Sequence, residues 1–343
     1  CSQTADPAIK NSRNCLLRGV PGNYNRFSAE TKWKKTIVDS YGQMFTPFAS
    51  VRVDTSVRSV DNEVGVSNYL STGETTLVRS MPTAGIEYRY PFINVQSWGT
   101  QTIEPIAQVI ARPDEGQIGR WPNEDAQSFT FDDSNLLKVD KFSGWDRAEG
   151  GGRANVAVQY TAQANAGGTF SALFGQSYHL FGRNSFARAD LTNSSLQSGI
   201  DSDASDYVAR FSLQPSQTYA FTSRFRFDQD NFSVQRMELE ARANFDRWSF
   251  SALYGEYAAQ PALGFLERRQ GLLGSARYKL TENWVAYGSL LYDLNAEKLN
   301  SASIGLGYID DCVILALNYA SSYSYDVNGT NPKRVDTVML QLS

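Results

Sequence analysis

The chain has 343 residues, 41% hydrophobic and 13% aromatic, with 18 Tyr, 19 Phe and 6 Trp, a composition rich in strand formers. Its formal charge of -4 sums 32 Lys and Arg with 36 Asp and Glu scattered along the chain, which gives a nucleic-acid partner no footing. One histidine, His179, and three cysteines without metal spacing supply neither a zinc site nor a Ser-His-Asp triad, so no catalytic residue, metal or cofactor is expected.

The longest apolar run is Cys312 to Leu317, far short of the ~18 residues that a transmembrane helix requires. The segments alternate instead. In chain order they are RFSAETKWKKTIVDS (26–40), MFTPFASVRVD (44–54), TAGIEYRYPF (83–92), TIEPIAQVIAR (102–112), ANVAVQYTAQA (154–164), TFSALFGQSYHL (169–180) and DYVARFSLQP (206–215). The second half is cleaner. In QTYAFTSRFRFDQ (217–229), Tyr219, Phe221, Phe225 and Phe227 alternate with Thr222, Arg224, Arg226 and Asp228. In SVQRMELEARANF (233–245), Met237, Leu239, Ala241, Ala243 and Phe245 share one face, and Arg236, Glu238, Glu240 and Arg242 the other. WSFSALYGEY, LLGSARYKL, NWVAYGSLLYDL, ASIGLGY, CVILALNYASS and DTVMLQLS follow, for about fifteen strands and no amphipathic helix.

Tight connections such as Asp246-Arg247 alternate with long polar ones, 191–205 and 114–152, and aromatics gather near segment ends. Together with strand lengths near the 9 to 11 residues of a tilted span, this pattern predicts an all-β fold, a transmembrane antiparallel barrel in up-and-down order. The charged faces would then line a wet lumen. A general or substrate-specific outer-membrane porin and a large soluble β protein have similar parity.

One stretch asks for a separate reading: FSGWDRAEGGGR, Phe142 to Arg153. A phosphate loop would need a strand before its glycines, a helix after them and a Lys-Ser or Lys-Thr; here a strand follows and those residues are missing. Asp146 and Glu149 have no histidine nearby, so the stretch reads as a structured turn closing a long loop, with Asp146 and Arg147 as a local ion pair and Gly150 to Gly152 as the entry to a strand.

TQTIEPIAQ, NEDAQSFTFDDSNLL and KFSGWDRAEGGGRANVAVQY together resemble the lipopolysaccharide-assembly outer-membrane proteins of the LptD family. The resemblance rests on Glu104, Pro105, Gln108, Asp132, Asn135, Leu136, Phe142, Ser143, Gly144, Asp146, Arg147, Glu149 and Gly150, over about sixty residues. It implies a non-enzymatic translocon in the Gram-negative outer membrane that passes lipopolysaccharide sideways into the outer leaflet. The partners implied are lipopolysaccharide, membrane lipids, a plug lipoprotein of the LptE type and periplasmic bridge proteins. Residues 1–343 would form a single barrel domain, the C-terminal portion of a larger barrel whose N-terminal strands and periplasmic jelly-roll domain are not present. The family's disulfides imply a role for Cys312, with Cys15, Cys1 or a cysteine outside this sequence as partner; Asp311 stands where a second adjacent cysteine would be. The lateral seam between first and last strands would involve Val335, Thr337, Met339 and Gln341, preceded by the donor-less Pro332.

Overall fold

The computed structural model describes residues 21–61, 70, 73–118, 120–188, 195–263, 265–310, 313–325 and 332–342. Cys1, Cys15 and Cys312 lie outside the described residues. The described residues form seventeen strands in one antiparallel sheet: β1 (Gly22–Lys34), β2 (Ile37–Val38), β3 (Met44–Val60), β4 (Gly73–Arg89), β5 (Phe92–Gln96), β6 (Gly99–Ala111), β7 (Gly152–Ala164), β8 (Thr169–Phe181), β9 (Tyr207–Gln214), β10 (Tyr219–Phe227), β11 (Val234–Asn244), β12 (Trp248–Tyr257), β13 (Arg269–Lys279), β14 (Trp284–Asp293), β15 (Lys298–Ile309), β16 (Ile314–Tyr325) and β17 (Pro332–Leu342).

Pairing follows the chain. β1 and β2 are two pieces of one edge that both pair with β3, and β4 and β5 are two pieces of one strand that both pair with β6. The ladder therefore has fifteen rungs, the number expected from alternation. Prolines mark the interruptions: Pro47 of β3 faces the break between β1 and β2, and Pro105 of β6 faces the break between β4 and β5. There Lys35 donates to the Pro47 carbonyl and Tyr90 to the Pro105 carbonyl, both at 3.2 Å. A residue without an N–H is tolerated where the neighbouring strand offers no regular acceptor. β4 starts ten residues before the segment that alternation marks, and Pro82 lies in that extension, short of Ala84 where pairing with β6 begins.

Burial is inverted relative to a soluble sandwich. On β3, Arg52, Asp54, Ser56 and Arg58 are buried, whereas Val51, Val53 and Val57 between them are 42 to 50% exposed. The same holds on β10, where Arg226 is buried and Tyr219 and Phe221 are exposed. Apolar alternate positions thus face outward and charged ones inward, the arrangement of a wall between lipid and a polar lumen. No helix among the described residues is long and apolar enough to cross a membrane.

Connections differ by end. At one end they are short, 97–98, 165–168, 215–218, 245–247 and 280–283; at the other lie 112–151 and 182–206. The apolar core is made by these two long segments against the inner wall: Phe131, Leu136 and Phe142 from the first and Phe186 and Ile200 from the second pack on Ile106, Ala157, Leu173 and Val208. Among the described residues, β17 pairs with β16 alone and β1 with β3 alone, so the sheet has two free edges.

Candidate functional site

Segment 112–151, which carries most of the singled-out motif, folds into the lumen as a plug. Its acids meet arginines on inward strand positions. Asp146 is bonded to Arg26 of β1 and accepts from Tyr24 at 2.8 Å, while Arg26 also reaches Asp125 at 3.1 Å. Asp132 pairs with Arg236 of β11 at 2.8 Å, and Asp133 lies 3.5 Å from both Arg210 of β9 and Arg224 of β10. The plug is thereby tied to both sides of the curled sheet. Asp146 takes its partner from 120 residues away, where the sequence pointed to the adjacent Arg147. Arg147 instead donates to the Ser185 carbonyl at 3.3 Å and covers the Phe142 ring at 4.9 Å, because Phe142 stacks on Phe186 and brings 182–206 alongside.

Backbone groups of the motif are held as well. Arg79 donates to the carbonyls of Trp145 at 2.8 Å and Asp146 at 3.0 Å, Arg52 donates to that of Trp145, and Asp54 anchors both guanidiniums. Asp125 accepts from the N–H groups of Trp145 and Asp146, and Asp146 accepts from those of Glu124 and Asp125, a reciprocal clamp that closes the segment on itself. Gly144 makes this clamp possible. Its φ is +73°, and a Cβ there would lie 2.5 Å from the Asp125 carboxyl.

The other motif residues also have physical roles. Glu104 pairs with Arg89 at 3.1 Å, and Gln108 donates to the Leu137 carbonyl at 3.1 Å while accepting from Asn155 at 2.7 Å. Asn135 accepts from the Asp132 N–H and donates to the Thr130 carbonyl, fixing the turn that buries Leu136. Gly150 donates to the Ser185 hydroxyl at 2.9 Å, and a Cβ on it would lie 2.3 Å from the Glu115 nitrogen.

Glu149 is the most enclosed acid. Burial pushes its carboxyl up, but Arg112, Arg153 and Lys141 together outweigh burial and hold it down at about 2. Lys141 shows the opposite balance. Burial pushes its ammonium down, Glu149 opposes that, and Arg153 and Arg112 add to it, leaving about 7. Among the described residues its Nζ donates to neutral acceptors, the Lys138 carbonyl and the Asn155 amide oxygen, each at 3.2 Å. For Asp132, burial is outweighed by the Ser134 hydroxyl and by Arg236, and its carboxyl stays below the usual range.

The strand arginines that hold the plug, Arg26, Arg52, Arg79, Arg153 and Arg210, were not singled out by sequence reasoning. Their signal was an arginine at an inward parity position of a strand whose outward positions are apolar. Val335, Thr337, Met339 and Gln341 lie on one face of β17, opposite the face of Val338, Leu340 and Leu342. No group of three or more His, Cys, Asp or Glu able to hold a metal ion occurs among the described residues.

A family model described as LptD, LPS transport system D, matches residues 4–264. No curated protein matches. Among solved structures the chain is similar to the apoprotein form of the FrpB iron transporter from Neisseria meningitidis, at 11% identity and a TM-score of 0.43, covering 95% of this chain and 59% of that one. It is also similar to OccAB4 from Acinetobacter baumannii, at 11% identity and a TM-score of 0.34, with 93% and 91% covered. The chain thus spans about three fifths of the FrpB transporter's length, and neither likeness assigns it a ligand.

Proposed function

The chain belongs to the LptD family, LPS transport system D, and on that premise we propose that it supplies wall and plug of the translocon that places lipopolysaccharide in the outer leaflet. It is an integral outer-membrane protein. The observation that carries the reading is the motif-bearing plug, fixed by arginines of β1, β3, β4 and β9 to β11 inside a wall whose outer face is apolar.

The remaining wall offers a different lining. Arg242, Ser251, Ser275, Ser289 and Ser303 oppose one another in register across β11 to β15, and two of the serine pairs are bonded at 2.8 Å. Small hydroxyl side chains leave width and hydrogen-bond partners for a saccharide, or for a lipoprotein of the LptE type seated beside it. Free edges at β1 and β17 cannot stand alone in hydrocarbon, so further strands of a longer barrel would cover them, with β17 and its Val335, Thr337, Met339 and Gln341 beside a lateral seam.

Complementation of an LptD-depleted Gram-negative strain tests the function. Expressed within a full-length protein, Arg26→Gln combined with Arg236→Gln should lower surface lipopolysaccharide several-fold while barrel insertion stays normal. Unchanged surface lipopolysaccharide, together with steady ion conductance by the parent chain in planar bilayers, would overturn this reading in favour of a diffusion channel.

A further inference from the structure

The outward face of the wall is not uniform. Register places Asp336 of β17 opposite Ser321 of β16, Ser321 opposite Ala302 and Ala302 opposite Leu290, and the row continues through Gly274, Ala252 and Ala241 to Phe221. That row belongs to the lipid side, since Phe221 and Leu290 are exposed on it and the alternate row carries the inward serines. Asp336 therefore points away from the lumen.

Counted from the short-turn end, the apolar band shrinks toward this edge. On β14 the outward positions Trp284, Ala286, Gly288, Leu290 and Tyr292 carry no charge, and β10 keeps the same height from Tyr219 to Phe227. At about 3.3 Å per residue and a tilt near ~40°, that band is roughly 20 Å tall, close to the apolar height of an outer-membrane wall. On β17 the band is Leu342, Leu340 and Val338, roughly 10 Å by the same measure, and Asp336 and Arg334 follow. β16 agrees, because Leu315, Leu317 and Tyr319 are followed by Ser321. Among the described residues of β10 to β15 the charged outward position is Glu256, and it lies at the long-loop end of β12.

The two charges are held by one another. Asp336 accepts from Arg334 Nε at 2.7 Å, from the Tyr319 hydroxyl at 3.1 Å and from Ser321, and Arg334 also donates to the Tyr319 oxygen. Both side chains nevertheless stay open to the outside, 51% exposed for Arg334 and 45% for Asp336. A guanidinium and a carboxylate exposed to this degree are costly against hydrocarbon, and the cost is met by drawing water and headgroups to their level or by thinning the bilayer. Each of the four side chains has a partner inside the group, which suits a shifting layer of water and headgroups better than one fixed protein contact. We propose that the outer face of β16 and β17 binds the headgroup layer of the outer leaflet, and that the bilayer is thinner there than along β10 to β15. The inference needs only the outer-membrane placement of the wall, whatever the translocon carries. β17 is also a free edge among the described residues, so backbone groups bared along it meet water rather than hydrocarbon.

The test places a nitroxide at Ala302→Cys, opposite Ser321, and at Leu272→Cys on β13, each seven residues from the short-turn end of its strand, with the native cysteines replaced by serine. A full-length protein in phosphatidylcholine vesicles is used, and collisions with a water-soluble nickel chelate and with oxygen are compared by paramagnetic resonance. Nickel access at position 302 is expected to exceed that at 272 several-fold. Arg334→Leu combined with Asp336→Leu should bring position 302 down to the value at 272 and leave 272 unchanged. Should that pair of leucines block assembly, Arg334→Gln with Asp336→Asn, which keeps the side-chain shapes, should lower nickel access at least twofold. Oxygen-rich and nickel-poor signals at both positions overturn the proposal, and so does nickel access at 302 that both variants leave intact. Access at 302 closed to both reagents shows a protein on this face, a second copy of the chain included, and equally overturns it. Surface lipopolysaccharide, the readout for the translocon reading, enters none of these measurements, so each reading can fail alone.

Discussion

Gly144 and Glu149 show how single residues fix the plug. An alanine at 144 would have to adopt positive φ with its Cβ against the Asp125 carboxyl, which costs about 1–3 kcal/mol and opens the clamp between Asp125 and Asp146. Gly144→Ala should therefore make 112–151 sensitive to protease in the folded protein, while Gly116→Ala, where a Cβ meets nothing within 4 Å, should not. Glu149 predicts an acid limit. Its folded carboxyl titrates at about 2, below the ordinary 4.5, so its contribution is fully present above pH 4.5 and is lost as pH falls toward 2. The loss amounts to about 3 kcal/mol, and Glu149→Gln should flatten that part of a thermal-midpoint profile. Lys141 acts with the other sign. Its ammonium is depressed from 10.5 to about 7, so the unfolded chain binds more protons in that window and stability rises with pH from 7 to 10.5. Lys141→Met should remove that rise.

At the scale of elements, the strands and the plug depend on one another through arginines at inward strand positions. Arg26 on β1 and Asp146 on the plug form one coupled unit, with Asp146 buried and Arg26 half-buried. A double-mutant cycle with Arg26→Gln and Asp146→Asn, read as protease protection of the plug, should give a coupling of about 1–3 kcal/mol, since removing either partner leaves the other enclosed and unpaired. A coupling near zero would show that the plug is held by its apolar core alone. Proline placement makes a second, independent test. Pro105 sits where β4 breaks into β5, so Pro105→Ala should change the thermal midpoint little. Ile106→Pro, one residue further along, removes an N–H from a strand paired on both sides and should prevent assembly of a heat-modifiable barrel.

For the whole molecule, alternation along the chain set the wall, and a loop set what the wall encloses. The fifteen rungs were legible because strand parity needs no tertiary information: a charged face and an apolar face separate at period two whichever solvent each will meet. The beginning of β4 was less legible, because GETTLVRSMP mixes polar and apolar residues and contains Pro82, and its pairing with β3 decides it. The motif residues 142–150 could be named as a structured turn without knowing their surroundings. Their partners could not be named. Asp146 lies beside Arg147 in sequence and bonds Arg26, and Gln108 reaches Leu137, because a curled sheet brings inward positions of distant strands onto one short segment.

The sequence by itself determined an all-β wall with one wet and one greasy face, a poor supply of metal and triad residues, and a motif in a long loop, since each follows from residue type and spacing. Only the tertiary structure decided that this loop fills the lumen and that arginines at inward strand positions hold it. The physical reason is the range of the forces concerned: side-chain alternation is a local steric property, whereas a buried ion pair or a cavity exists only once distant segments have excluded water between them.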